Sequence, residues 1–183
     1  MLDLDASRGL RWLFYVARTR VTVGFLVAGV AVWLARPTWI SLGSGASIAV
    51  AGEVLRVWAA GHLRKGREIT RSGPYRYVGH PLYVGSFIMG LGFAVAAGHP
   101  FGAGLVVAYL AVTLFAAIRW EEATLRETFG EEFDQYTRGR ATFSDRRFSI
   151  RQVTVNGEHR ALLGFAATLA VLSLKAWRLY LCQ

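Results

Sequence analysis

The sequence predicts an all-α fold: a polytopic membrane helical bundle of about five transmembrane helices plus an interfacial amphipathic helix. Three observations carry that expectation. The 183 residues are 54% apolar when Tyr is counted, roughly 61% when Gly replaces it, and only 18% charged. Soluble domains hold about 45–50% and about 25% respectively, so this chain has more apolar surface than an interior of its size can hide. Five apolar runs approach the length of a bilayer crossing, and the basic residues collect on one side of them. The whole chain, residues 1–183, therefore reads as one integral membrane domain. A lone cysteine, Cys182, excludes an intrachain disulfide framework and a multi-cysteine zinc site.

The elements follow in order. Residues 6–17 carry Trp12, Phe14 and Tyr15 among Arg8, Arg11 and Arg18, a composition suited to lying along the interface. The first span is expected at 19–35. A secretory leader would need small residues after such a run, but Arg36-Pro37 follows, so the helix is expected to be retained. Gly24, Ala28 and Ala31 place small residues on one face of it, as a helix interface within one chain or between two. The second span is expected at 39–62 and the third at 82–97, entered by Pro81, whose missing N–H costs nothing in a first turn. Gly98-His99-Pro100 leaves room only for a tight turn, so the third span and the fourth, at 101–118, form an antiparallel hairpin. Beyond it Leu125, Phe129, Phe133 and Tyr136 recur at helical spacing, predicting an amphipathic helix on or against the membrane. A fifth span is expected at 161–177.

Charge orients these spans. Arg56 of the second span apart, seventeen Lys and Arg residues fall before or at the start of the first span, after the second or after the fourth; only Arg36, Lys175 and Arg178 fall on the other side. The positive-inside rule then predicts a cytoplasmic N-terminus and an outside C-terminus. A net charge of +9 divided among separate loops is not the continuous basic face that nucleic acid requires, so membrane lipids are the expected partner.

The unusual residues sit in the two long basic segments. Between the second and third spans, Ser72-Gly73-Pro74 signals a turn, followed by Tyr75, Arg76, Tyr77, His80, Pro81 and Tyr83. Aromatic anchoring at the headgroups accounts for the tyrosines equally well. After the fourth span come Glu121 and Glu122; Glu122 is spaced to pair with Arg126, and two adjacent carboxylates at a membrane edge also suit a cationic small molecule. Within the second span, Glu53 and Arg56 share a helical face, either neutralising each other or binding something. His62, His99 and His159 read as isolated interfacial or loop residues, and no spacing among the four histidines supports a metal site.

Together, Gly73-Pro74-Tyr75 with Tyr77, then His80-Pro81-Leu82-Tyr83-Val84-Gly85, then Glu121-Glu122 with Leu125, Phe129-Gly130, Glu132-Phe133 and Tyr136 resemble the isoprenylcysteine carboxyl methyltransferase and phospholipid methyltransferase superfamily of integral membrane enzymes. The resemblance covers roughly residues 53–140, a methyltransferase-like core. It implies S-adenosylmethionine as methyl donor, with His80, Pro81 and Tyr83 lining its cleft, Gly90 and Gly92 as the glycine-spaced motif, and Glu121 and Glu122 recognising ribose hydroxyls or the amino group. Gly90 and Gly92 suit close helix packing just as well.

Under that resemblance, a carboxylate acceptor would need only orienting cations, Arg76 or Arg140, whereas an amine must first lose a proton, to Tyr75, Tyr77 or Glu68. Glu53 and Arg56 are expected on the acceptor side. An apolar acceptor would enter from the bilayer and the cofactor from the cytoplasm. Two features depart from the superfamily pattern: Gly79 stands where carboxyl methyltransferases typically have arginine, and the tail after Tyr136 lacks an apolar-Pro ending. The expected function is methyl transfer to a lipid-like or apolar acceptor at the cytoplasmic face. The alternatives are an NADPH-dependent membrane reductase resembling sterol reductases, or a non-enzymatic scaffold whose basic face binds anionic lipids.

Overall fold

The computed structural model describes residues 8–139, 142 and 144–182, and among them every regular element is helical. The elements are α1 (Arg8–Leu34), α2 (Trp39–Ala60), a short 3-10 turn (Gly73–Arg76), α3 (Pro81–Ala96), α4 (Pro100–Phe129), α5 (Glu131–Thr137), α6 (Ile150–Val155) and α7 (Glu158–Leu181). Helices α2, α4 and α7 are long and apolar enough to cross a membrane, which makes this an integral membrane protein. The apolar parts of α1 (Thr19–Leu34) and α3 (Pro81–Ala96) are shorter. At 1.5 Å per residue each reaches about 24 Å, so a bilayer must thin slightly or their flanking residues must reach the interface.

Local chemistry sets the boundaries. Thr38 and Ser41 cap α2 reciprocally, the Thr38 hydroxyl accepting from the Ser41 amide at 3.1 Å and the Ser41 hydroxyl from the Thr38 amide at 3.0 Å. Pro81 and Pro100 begin α3 and α4, and the His99 ring accepts from the Gly102 amide at 3.2 Å. Between the two proline-led helices Gly98 takes a positive φ of 61°, which closes the predicted hairpin turn.

Helices α2 and α3 form the closest pair. A Cβ on Gly45 would stand 2.3 Å from the Ala96 amide nitrogen, on Gly52 2.4 Å from that of Met89, and on Gly92 2.3 Å from that of Ala49. Small residues thus let the two backbones touch, which is how membrane helices gain dispersion contact where lipid removes the hydrophobic drive. Around this pair, α4 packs on α3, α1 on α4, and α7 on α2. Ala35, Leu42, Ala96, Ala97, Leu172 and Ala176 form a buried cluster where α7 meets the other spans. Lys175 donates to the carbonyls of Val32 and Trp33 at 2.6 and 2.7 Å, satisfying the orphan acceptors at the C-terminus of α1.

Two expectations change in detail. The aromatic segment before the first span is the beginning of α1 itself, because no Gly or Pro interrupts the chain between Trp12 and Thr19; residues 6 and 7 lie outside the described residues. The amphipathic segment is in two pieces. Helix α4 runs on to Phe129, and Gly130, at φ 51°, ends it before α5 starts.

Candidate active site

The chain between α2 and α3 has no regular structure beyond its 3-10 turn, so side chains must hold it. His62, read from sequence as an interfacial or loop residue, is buried, its Nδ1 lying 3.0 Å from the Trp58 carbonyl. Residues 144–156 cross this loop as a strap. Arg76 donates to the Ser144 carbonyl at 2.8 Å and pairs with Asp145, Arg146 pairs with Glu68, the Ser149 amide donates to the Gly61 carbonyl at 3.1 Å, and the Asn156 amide donates to the carbonyls of Ala60 and Leu63. On the other flank, Arg71 pairs with Glu132 of α5 at 2.5 Å, and the Tyr136 hydroxyl donates to the Tyr75 carbonyl at 3.1 Å.

Held this way, the loop walls a cavity of about 790 Å³ together with the start of α3, the end of α4, α5 and Arg20 of α1. That volume lies within the range of small-molecule sites. The cavity brings together Glu68, Tyr75, Arg76, Tyr77, His80, Tyr83, Glu121 and Glu122, residues from two segments some forty positions apart. The stripe of Leu125, Phe129, Phe133 and Tyr136 lines it too, so this amphipathic face covers the cavity instead of lying on the bilayer. The turn at Gly130 separates α5 from α4, and Arg126 of α4 pairs with Asp134 of α5 across it.

Electrostatics differ among these groups. Glu122 lies between the His80 ring, with Nε2 at 3.4 Å, and the Arg119 guanidinium at 3.5 Å, while Arg126, the partner expected from spacing, pairs with Asp134 at 3.1 Å. The Tyr83 hydroxyl is within hydrogen-bonding reach of both the Glu121 carboxylate and the Arg20 guanidinium. Burial pushes the Tyr75 phenol above its ordinary range, and the Glu121 carboxylate adds to the shift. Burial also raises Tyr136, with the Arg71 guanidinium opposing.

Five expected site residues lie elsewhere in the described structure. Pro81 is fully buried beneath the cavity at the start of α3. Gly92 is in the α2–α3 contact, and Gly90 faces the Leu110 side chain. Glu53 and Arg56 form a buried cluster with Glu158 of α7 and Ser86 of α3, outside the cavity lining. Arg140 lies outside the described residues. Sequence reasoning missed Arg20 and Trp120, which also line the cavity. Trp120 was legible from its place beside Glu121; Arg20 carried no local signal, because its role comes from α1 packing on α4.

Residues 19–132, well over half of the chain, match the phospholipid methyltransferase family. The chain belongs to that family, which favours methyl transfer over the reductase and scaffold readings. It is also 36% identical over 131 residues to the nickel-cobalt-cadmium resistance protein NccN of Alcaligenes xylosoxydans xylosoxydans, a match covering 66% of this chain and 58% of that relative. The chain thus spans less than two thirds of the relative's length. No solved structure matches it.

Proposed function

We propose that this protein is an S-adenosylmethionine-dependent methyltransferase acting on a lipid-like or apolar acceptor, with its site at the cytoplasmic membrane face. The observation that carries this reading is the convergence of Glu121, Glu122, His80 and Tyr83 in one cavity where spanning helices meet the basic loop. The donor set fits the cofactor: carboxylates suit its amino group or ribose hydroxyls, and the aromatic side chains of Tyr75, Tyr83 and Trp120 suit a sulfonium and an adenine. When bound, the cofactor supplies a methyl group on positively charged sulfur, transferred in line to a nucleophile.

The chain's own contribution is alignment and exclusion of water. The apolar lining from Leu125, Phe129 and Phe133 keeps water from competing as an acceptor. Tyr75, held protonated by burial, is a hydrogen-bond donor and a poor base. Glu68 is engaged by Arg146 and the Tyr77 side chain is largely exposed, so His80, backed by the Glu122 carboxylate, is the better-placed proton acceptor for an amine nucleophile. A carboxylate nucleophile would need none.

The test is calorimetric titration of S-adenosylhomocysteine into the detergent-purified protein and its Glu121→Ala and Glu122→Ala variants. Saturable binding, weakened at least about tenfold in each folded variant, is expected; that factor is about 1.4 kcal/mol. An intact wild-type protein that binds nothing at millimolar ligand refutes the assignment.

A further inference from the structure

Arg20 is the only described residue of α1 in the cavity lining. Two contacts hold that turn of α1 against α4. The Tyr109 hydroxyl donates to the Arg20 carbonyl at 2.6 Å, and one turn later Gly24 leaves room for the same tyrosine, whose oxygen would stand 2.6 Å from a Cβ there. The Arg20 side chain therefore starts from a fixed backbone. Among the described residues it forms no salt bridge with a carboxylate; its neighbour is the Tyr83 hydroxyl, which also interacts with Glu121. Three helices thus bring a cation, a hydroxyl and an anion into one cavity.

The other cations of the cavity stand on the loop side. Lys65 belongs to the loop itself, and Arg76 is committed to the strap through Ser144 and Asp145. Arg20 instead begins the apolar part of α1, at the hydrocarbon boundary. A guanidinium there, partly desolvated and without a carboxylate partner, favours an anionic oxygen group, which its planar fork can bind through two parallel hydrogen bonds.

We propose that Arg20 and Glu121, bridged by the Tyr83 hydroxyl, form a zwitterion-recognition site in which Arg20 binds the carboxylate or phosphate of a ligand and Glu121 binds its ammonium. This rests on the methyltransferase reading for its ligands. Two zwitterions meet the requirement: the amino-acid end of the methyl donor, and a lipid headgroup carrying a phosphate and an amine. The role of Arg20 follows from its placement in the cavity lining at the α1–α4 contact.

The experiment compares wild type, Arg20→Gln and Arg20→Lys, each first checked for an unchanged thermal melt in detergent. One arm titrates S-adenosylhomocysteine against methylthioadenosine, which lacks the amino-acid end. A loss of about tenfold or more in Arg20→Gln for the first ligand, with less than about twofold for the second, supports the site and assigns it to the methyl donor. The other arm measures by native mass spectrometry the retention of phosphatidylethanolamine against a neutral diacylglycerol. A loss in Arg20→Gln confined to phosphatidylethanolamine supports the site and assigns it to a headgroup. Arg20→Lys, keeping the charge but not the fork, is expected between the two; if Arg20→Gln does not fold, it replaces Arg20→Gln in both arms.

Equal weakening of ligands with and without the zwitterion, or no change in either arm, overturns the proposal. Failure of the methyltransferase reading has a separate signature, since wild type would then bind neither nucleoside, and the lipid arm alone would decide the role of Arg20.

Discussion

Arg56 donates to both carboxylate oxygens of Glu158, a residue 102 positions later, at 3.0 and 2.8 Å. The same guanidinium stands 3.4 Å from Glu53, one turn away on α2, and bonds Ser86 on α3. One cation thus ties three helices together and offsets two buried carboxylates. Removing it leaves both anions uncompensated, which costs far more than the pair contributes. Arg56→Met is expected to lose about 3–5 kcal/mol of stability, with Glu53→Gln and Glu158→Gln added to it recovering part. Denaturant unfolding in mixed micelles measures both; equal stability of Arg56→Met and wild type would contradict the pairing.

Two glycines of the third helix differ in what a side chain would meet. A Cβ at Gly92 meets the backbone of Ala49 and Gly45, which cannot move without separating α2 from α3; a Cβ at Gly90 meets only the flexible end of Leu110. Gly92→Ala is expected to cost at least the roughly 1–3 kcal/mol of an overpacked core, and Gly90→Ala to be near neutral. Affinity for S-adenosylhomocysteine should be unchanged in the Gly90→Ala variant. A loss of binding there with stability intact would place Gly90 in the cofactor site.

Much of the fold was legible because its signals are local. Pro81, Pro100 and the Gly98 turn announced the hairpin, and the apolar runs announced the spans. In the candidate site, Tyr75, His80, Tyr83, Glu121 and Glu122 line one cavity because both segments end at the same side of that hairpin. What escaped depends on tertiary placement. The third member of the charged cluster on α2 was not legible, because Glu158 is distant in sequence. The apolar stripe from Leu125 to Tyr136 looked membrane-facing because its spacing does not say which way Gly130 turns α5.

Tyr75 gives a pH dependence of defined sign. An ordinary tyrosine ionises near pH 10, and burial, helped by Glu121, holds the Tyr75 phenol above that. Below about pH 10 the group is protonated in folded and unfolded chains alike, so its contribution to stability is fully present. Above it the unfolded chain releases a proton that the folded chain keeps, and stability falls as pH rises toward the folded value. The Tyr75→Phe variant should lose less stability than wild type between about pH 9 and pH 11. Phenolate absorbance checks the assignment: a Tyr75 that ionises together with the exposed Tyr77 would remove its basis.

The orientation predicted by the basic loops can be tested with the chain's own sulfur. Cys182 is the sole cysteine and is exposed just beyond α7, on the side expected to carry only Arg36, Lys175 and Arg178. An outside C-terminus requires that a membrane-impermeant maleimide label Cys182 in intact cells. Ser144 is exposed on the strap across the opposite face, so a Ser144→Cys/Cys182→Ser protein should label only after permeabilisation. Among the described residues its side chain makes no hydrogen bond that the substitution removes; the strap is held through the Ser144 backbone carbonyl and amide. Inversion of the two patterns would place the cavity outside, where cytoplasmic S-adenosylmethionine cannot reach it. That outcome would count against the proposed cofactor independently of any binding measurement, because an enzyme must face the compartment that holds its methyl donor.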